Sequence, residues 1–92
     1  MFANEVKPPS HYLEQELLKR RISHSKLAIA LGISPSHIGG LCSNRSRISP
    51  RMALKLERVL GIKAEDWLRM RADYDLWEIR RWWGGPYGTP KA

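Results

Sequence analysis

Apolar residues recur at intervals of three and four along most of the chain, which is the spacing of one face of an α-helix. No stretch alternates apolar and polar residues as a half-buried strand does. The pattern predicts helices over about residues 11–20, 24–31, 35–43 and 50–60, and from residue 64 onward. We therefore expect an all-α domain.

Serine, proline and glycine mark the boundaries of these helices. Ser34–Pro35 and Ser49–Pro50 each pair an N-cap hydroxyl with a proline at the first helical position, where a missing N–H costs nothing. Ser10 is expected to cap the first helix after an extended lead over residues 1–9. Gly32 and Gly61 stand where a left-handed residue ends a helix. The helices are thus predicted to be short and separately capped.

The number of helices depends on the C-terminal part of the chain. The segment 73–75, Asp-Tyr-Asp, lies inside one long helix or opens a sixth helix with Leu76, Trp77 and Ile79. After Trp83 the sequence Gly-Gly-Pro-Tyr-Gly-Thr-Pro excludes regular structure. We expect a compact five- or six-helix domain over residues 10–83, followed by a flexible tail over residues 84–92.

The second and third predicted helices form a helix-turn-helix. Ala28 is small where the two helices approach, Gly32 reverses the chain, and Ile33 plugs the turn. Ile38 and Leu41 face inward with Leu27 on the helix before them. The outward side of the third helix enters a major groove in this motif. The residues predicted to read bases are Pro35, Ser36, His37 and Gly40.

The side chains predicted to read bases offer little selectivity between base pairs. Ser36 and His37 bond to several base edges, and neither offers the bidentate selectivity of Arg on guanine or Asn on adenine. Gly39 and Gly40 each cost about 1 kcal/mol relative to Ala inside a helix. They indicate a close backbone approach to DNA or to a neighbouring helix, a frayed third helix, or a tolerated substitution. We expect affinity to come mainly from phosphate contacts.

Positive charge is concentrated beside this motif. The chain has 16 Lys and Arg against 9 Asp and Glu, a net charge of +7, which favours a polyanionic partner. Five basic residues and one acid lie between Arg45 and Arg58. The free amides at the start of the second helix also favour a phosphate oxygen. The predicted phosphate contacts are Ser23, His24, Lys26, Arg45, Arg47 and Arg51.

Other kinds of chemistry lack the residues they need. No Ser-His-acid or Cys-His arrangement, carboxylate pair or metal-binding cluster is apparent, so we expect no enzymatic activity, cofactor or small-molecule substrate. His11, His24 and His37 are 13 residues apart each time, a spacing that fits no metal site.

The expected cellular location is the bacterial cytoplasm. Cys42 is the only cysteine, which excludes an intrachain disulfide and favours a reducing compartment. No run approaches the roughly 18 apolar residues of a membrane span. Residues 1–10 lack the apolar core of a signal peptide. A membrane partner is therefore not expected.

Four segments of the chain together form a recognisable signature: residues 9–17, the loop 44–49 (Asn-Arg-Ser-Arg-Ile-Ser), residues 53–56 and, most specifically, residues 64–77 (AEDWLRMRADYDLW). These segments resemble the HigA/VapI-type antitoxins of the Xre/Cro-like, or lambda-repressor-like, helix-turn-helix family. The resemblance implies a five-helix fold, a homodimer formed through the C-terminal helices, and binding to double-stranded operator DNA in the promoter of its own operon. It also implies neutralisation of a cognate HigB-type toxin, an mRNA-cleaving ribonuclease.

Two alternatives to this antitoxin function stay open from the sequence. One is a stand-alone Xre-type repressor without a toxin, and the other is a toxin-neutralising protein-binding module with little DNA specificity. A palindromic operator requires a dimer, and its predicted interface consists of Trp67, Leu68, Tyr74, Leu76 and Trp77. Three roles stay open for the aromatic residues near the C-terminus: stacking on nucleic acid, contact with a toxin, or packing on the partner subunit. These residues are Trp82, Trp83 and Tyr87.

Overall fold

Five α-helices form the part of the chain, residues 5–83, that the computed structural model describes. They are α1 (Pro9–Arg20), α2 (His24–Leu31), α3 (Pro35–Cys42), α4 (Pro50–Leu60) and α5 (Ala64–Trp83). No strand occurs within residues 5–83, so the all-α prediction is confirmed. The predicted flexible tail 84–92, with Tyr87, lies outside the described residues, and so do the side chains of Trp82 and Trp83.

Local capping explains most of the helix boundaries. The hydroxyls of Ser23, Ser34 and Ser49 each accept a hydrogen bond of 3.1 Å from a first-turn amide. Gly32 and Gly61 end α2 and α4 with φ of 69° and 79°, the left-handed conformation that glycine adopts without strain. These signals act within a few residues, which is why the sequence located them.

The first helix begins earlier than predicted. Pro9 occupies its first turn, and Pro8 is the N-cap, without a side-chain hydrogen bond. Ser10 is therefore not the cap: it lies inside α1 and is buried, with 7% of its surface exposed. Proline is tolerated in the first turn because its missing N–H would have no helical partner there.

The last helix is continuous. Residues 73–75 lie inside α5, so a sixth helix does not form within the described part of the chain. Asp75 supports this continuity because it sits one turn after Arg71, with 3.6 Å between Arg71 Nε and Asp75 Oδ2. None of the helices described is long and apolar enough to cross a membrane.

One hydrophobic core joins the five helices. α2 packs on α3 and α4, α1 packs on α3, and both α1 and α4 contact α5. The predicted inward residues Leu27, Ile38 and Leu41 are all at most 2% exposed. The buried core consists of Leu13, Leu17, Leu27, Ala28, Leu31, Ile38, Leu41, Ile48, Met52, Ala53, Leu56, Leu60, Ala64 and Trp67.

Candidate nucleic-acid interface

The turn between α2 and α3 fixes the two helices relative to each other. The amide of Ile33 donates to the Ala28 carbonyl at 3.0 Å, and Gly32 takes the left-handed conformation before it. Ile33 packs against the core, and Ser34 then caps α3. The first turn of α3 is thereby presented to solvent at a fixed angle. Pro35, Ser36 and His37 are exposed there.

Gly40 does not belong to this exposed surface, contrary to the sequence prediction. Gly40 is buried, and a Cβ added to it would lie 2.7 Å from Ser46 Oγ. Its carbonyl accepts hydrogen bonds from the amides of Arg45 and Ser46 at 2.9 and 3.0 Å. Gly40 therefore allows the loop after α3 to fold back onto the helix, a role in which it cannot contact a base.

Gly39 differs from its neighbour. It is only half-buried, and an added Cβ would have Arg45 Nη2 as its nearest neighbour, at 3.9 Å. That distance is an ordinary van der Waals contact, so the backbone at Gly39 does not require glycine for space. The contact also shows that the Arg45 guanidinium lies back along α3.

Three of the predicted phosphate contacts are exposed cations without an acidic partner. Among residues 5–83, no carboxylate lies within ion-pair distance of Lys26, Arg45 or Arg51. Arg45 Nε donates to Ser43 Oγ at 3.0 Å, which orients the guanidinium without neutralising it. The three cations belong to the start of α2, the loop after α3 and the start of α4.

The other predicted phosphate contacts are engaged within the chain. His24 Nε2 lies 3.0 Å from Glu14 Oε1 on α1. Arg47 is ion-paired with Asp75 on α5. These partners are 10 and 28 residues away in sequence, so the charge pattern alone did not reveal them. Ser23 accepts from the Lys26 amide and keeps its own hydroxyl proton for another acceptor.

Arg71 is a structural residue that the sequence reading missed. Its Nη1 donates to the Ile48 carbonyl at 2.9 Å, and its Nε faces the Asp75 carboxylate that also holds Arg47. The loop after α3 is thus fastened to α5. The i,i+4 spacing of Arg71 and Asp75 was the available signal.

The predicted dimer interface on α5 requires one correction. Trp67 has no exposed surface within its own protomer, so it is a core residue and cannot contact a partner. Its Nε1 is buried without a hydrogen-bond partner in the described part of the chain. Leu76 is 45% exposed, and Ile79, which the predicted interface left out, is 46% exposed. Their i,i+3 spacing places both on one face of α5.

Aromatic and charged groups flank this apolar face. Tyr74 donates to Glu78 Oε2 at 3.1 Å, and burial, followed by that hydrogen bond, raises the pKa of Tyr74. The guanidinium of Arg81 lies 4.7 Å from the centre of the Trp77 ring, a cation–π contact. Leu68, Tyr74 and Trp77 are half-buried. Four of the five predicted residues therefore retain surface for a partner.

The structure also brings together three residues that the sequence did not connect. Glu14, His24 and Cys42 come from α1, α2 and α3, and one ligand atom from each lies within 4.8 Å of the others. Burial, and secondarily the Glu14 carboxylate, raises the pKa of the Cys42 thiol to about 11. His24 is one of the three histidines whose sequence spacing did not indicate a metal site.

Comparison with known proteins identifies a matching family and a sequence relative. A family model described as Helix-turn-helix matches residues 13–68. Virulence-associated protein I of Dichelobacter nodosus is 39% identical over 69 residues, which span 74% of this chain and 64% of that protein. The chain thus matches slightly less than two thirds of that relative's length.

Two solved structures extend the comparison. Antitoxin GraA superimposes with a TM-score of 0.84 at 26% identity and 89% coverage of each chain. Pseudomonas aeruginosa antitoxin HigA, solved with the higBA promoter, gives a TM-score of 0.78 at 27% identity, with 83% of this chain and 84% of that chain covered. Together with the matched residues 13–68, these similarities show that the chain is a member of the Xre/Cro-like helix-turn-helix family with HigA-type antitoxins as its structural relatives.

Proposed function

We propose that this protein binds operator DNA in the promoter of its own operon and represses it, and that it neutralises the toxin that the operon encodes. The observation that carries the DNA-binding part is the exposed first turn of α3 together with the unpaired cations Lys26, Arg45 and Arg51. A polar helix end between unpaired cations matches the shape of a major groove and the charge of the phosphates beside it.

In this proposal the first turn of α3 reads the base edges. The Ser36 hydroxyl donates or accepts, the His37 ring does the same, and Pro35 contacts apolar base surface. None of these side chains forms a bidentate contact, so each contributes modest selectivity. Specificity then rests on several weak contacts and on the shape of the DNA.

Phosphate contacts provide most of the affinity in this account. Lys26, Arg45 and Arg51 each approach a phosphate, and the first-turn amides of α2 beside Ser23 donate to an oxygen of another. Each cation that neutralises a phosphate releases counterions, so binding weakens steeply as salt increases. His24 and Arg47 are left out of this set because Glu14 and Asp75 already hold them.

The proposed DNA-binding form is a homodimer. Its interface consists of Leu68, Tyr74, Leu76 and Trp77 from the sequence prediction, extended by Ile79. Two copies joined through α5 would present two α3 helices to half-sites one helical turn apart. A repressor that binds operon DNA acts in the bacterial cytoplasm, and we propose that location for this protein.

The antitoxin part of the proposal is supported by the names of the relatives, GraA and HigA. The proposed target is a HigB-type mRNA-cleaving toxin. Expression of the neighbouring reading frame alone should arrest growth and cleave mRNA, and co-expression of this chain should restore growth. A neighbouring product that has no effect on growth favours the stand-alone repressor.

Binding to the DNA upstream of the operon tests the regulator directly. Fluorescence anisotropy at physiological salt should give an affinity at least about 10³-fold higher than for a shuffled duplex of the same composition. Equal and weak binding to both duplexes would contradict sequence-specific repression and favour a protein-binding module. DNase footprinting should then show a protected palindrome.

A further inference from the structure

Glu14, His24 and Cys42 meet at the point where α1, the start of α2 and the end of α3 come together. His24 Nε2 is 3.0 Å from Glu14 Oε1, and the Cys42 Sγ completes a triangle of atoms within 4.8 Å of one another. The three residues are separated by 10 and 18 positions in the sequence and come from three helices. No part of the DNA-binding surface accounts for this convergence.

The spacing of the three atoms is close to that of a zinc site. Zinc holds sulfur at about 2.3 Å and nitrogen or oxygen at about 2.0–2.2 Å in a tetrahedron, which separates the ligand atoms by about 3.3–3.7 Å. Closing from at most 4.8 Å to that separation requires shifts on the order of 1 Å. Glu14 and His24 can make these shifts because their side chains are 40% and 48% exposed.

The donor set itself is selective. Thiolate and imidazole ligands favour Zn²⁺ and its neighbours in the transition series, whereas Mg²⁺ and Ca²⁺ prefer oxygen ligands only. One carboxylate oxygen, one imidazole nitrogen and one sulfur are three of the four ligands that tetrahedral Zn²⁺ requires. The exposure of His24 leaves the fourth position accessible to water.

We propose that Glu14, His24 and Cys42 form a three-ligand site for Zn²⁺, with water as the fourth ligand, that fastens the ends of α2 and α3 to α1. On binding, Zn²⁺ forms a bond to the Cys42 sulfur and the thiol proton is released to solvent. Bonds from Zn²⁺ to His24 Nε2 and to a Glu14 carboxylate oxygen replace the hydrogen bond between these two side chains, with the imidazole proton on Nδ1. Metal binding can be measured without DNA, so the site stands or fails separately from the proposed function.

Cobalt provides the direct test because Co²⁺ occupies zinc sites and absorbs light. Titration of the full chain with Co²⁺ should produce the near-ultraviolet charge-transfer band of a cobalt–thiolate bond, and Zn²⁺ should remove it. Cys42→Ser should abolish the band. His24→Gln should weaken Co²⁺ binding by more than about tenfold, since the loss of even an outer-shell partner costs that much.

Matched variants keep the test independent of folding. His37→Gln removes another exposed histidine and should leave Co²⁺ binding unchanged. His24→Gln alters an exposed side chain, and circular dichroism should confirm its fold. Zn²⁺, but not Mg²⁺, should raise the unfolding temperature of the unmodified chain and not that of His24→Gln. A cobalt spectrum without a thiolate band, or equal binding by His24→Gln and His37→Gln, would overturn the proposal.

Discussion

The proposed DNA-binding surface and the surface of α5 differ in the side chains that they expose to solvent. At the start of α2, in the loop after α3 and at the start of α4, Lys26, Arg45 and Arg51 are exposed and unpaired within residues 5–83. On α5, Arg69 is ion-paired with Asp66 and Arg71 with Asp75, and the exposed groups include Leu76 and Ile79. The first surface is complementary to a polyanion, and the second to an apolar protein surface.

Arg45 and Arg47 show this difference within one loop. Arg45 turns back along α3, where its Nη2 lies near Gly39. Arg47, two residues later, crosses to Asp75 on α5. In our proposal Arg45 contacts DNA, whereas Arg47 attaches the loop to α5. Mutations that separate these roles test the comparison.

The largest expected effect is at the start of α5. Trp67→Ala should lower the free energy of unfolding by about 3–5 kcal/mol, because it leaves a cavity in the core. Leu76→Ala, measured by urea unfolding at the same protein concentration, should cost far less. If Trp67→Ala instead keeps its stability and only loses the dimer, Trp67 belongs to the interface after all.

Charge on the exposed face of α5 should abolish association. The double variant Leu76→Asp, Ile79→Asp places two carboxylates in the proposed interface, where their desolvation opposes dimerisation by several kcal/mol. Sedimentation velocity should show a monomer with unchanged helix content. Leu54→Asp, at an exposed leucine on α4, is the control and should remain dimeric. Dimers in both variants would place the interface elsewhere.

The two adjacent glycines of α3 should respond in opposite directions. Gly39→Ala should stabilise the protein by up to about 1 kcal/mol through helix propensity. Gly40→Ala should destabilise it by about 1–3 kcal/mol, since the new methyl group overlaps Ser46 Oγ. Thermal unfolding measures both, and Ser46→Ala should rescue Gly40→Ala. Equal effects of the two alanines would show that the loop does not press on Gly40.

The smallest effects separate Arg45 from Arg47. Arg45→Ala should reduce the slope of log affinity for DNA against log salt by about 1.8, the value for two phosphate contacts, one from each protomer of the dimer. Arg47→Ala removes the same charge but should leave most of the slope, and it should cost at most about 1 kcal/mol of stability, as an exposed ion pair does. Anisotropy titrations at several salt concentrations measure the slopes. Equal slope losses would make Arg47 a phosphate contact too.

Features decided by near neighbours in the sequence were predictable. Ser34 with Pro35 and Gly32 specify the turn of the motif through contacts that span four residues or fewer. The long helix α5 was ambiguous because Asp73 to Asp75 resemble a helix start until Arg71 is seen to pair with Asp75. Local capping chemistry therefore predicted the starts of α2, α3 and α4 and the ends of α2 and α4, but not the start of α1.

Features decided by distant partners were not predictable. The pairing of Arg47 with Asp75, and of His24 with Glu14, depends on how α5 and α1 pack. Trp67 was assigned to the interface because aromatic residues serve equally in cores and interfaces, and only the packing of α4 on α5 distinguishes them. Gly40 faces inward because the loop folds back on α3. Helical periodicity carries no information about the path of that loop.

The central claim is that the unpaired cations around α3, and not net charge alone, hold the DNA. Two triple variants with equal loss of charge test it: Lys26→Ala, Arg45→Ala, Arg51→Ala, and the control Lys19→Ala, Arg20→Ala, Arg69→Ala, whose cations are ion-paired. The account predicts that the first reduces the salt slope of operator binding by roughly 5, because each of the two protomers loses three phosphate contacts, whereas the control keeps nearly the full slope. An equal loss of slope and affinity in both variants would contradict it.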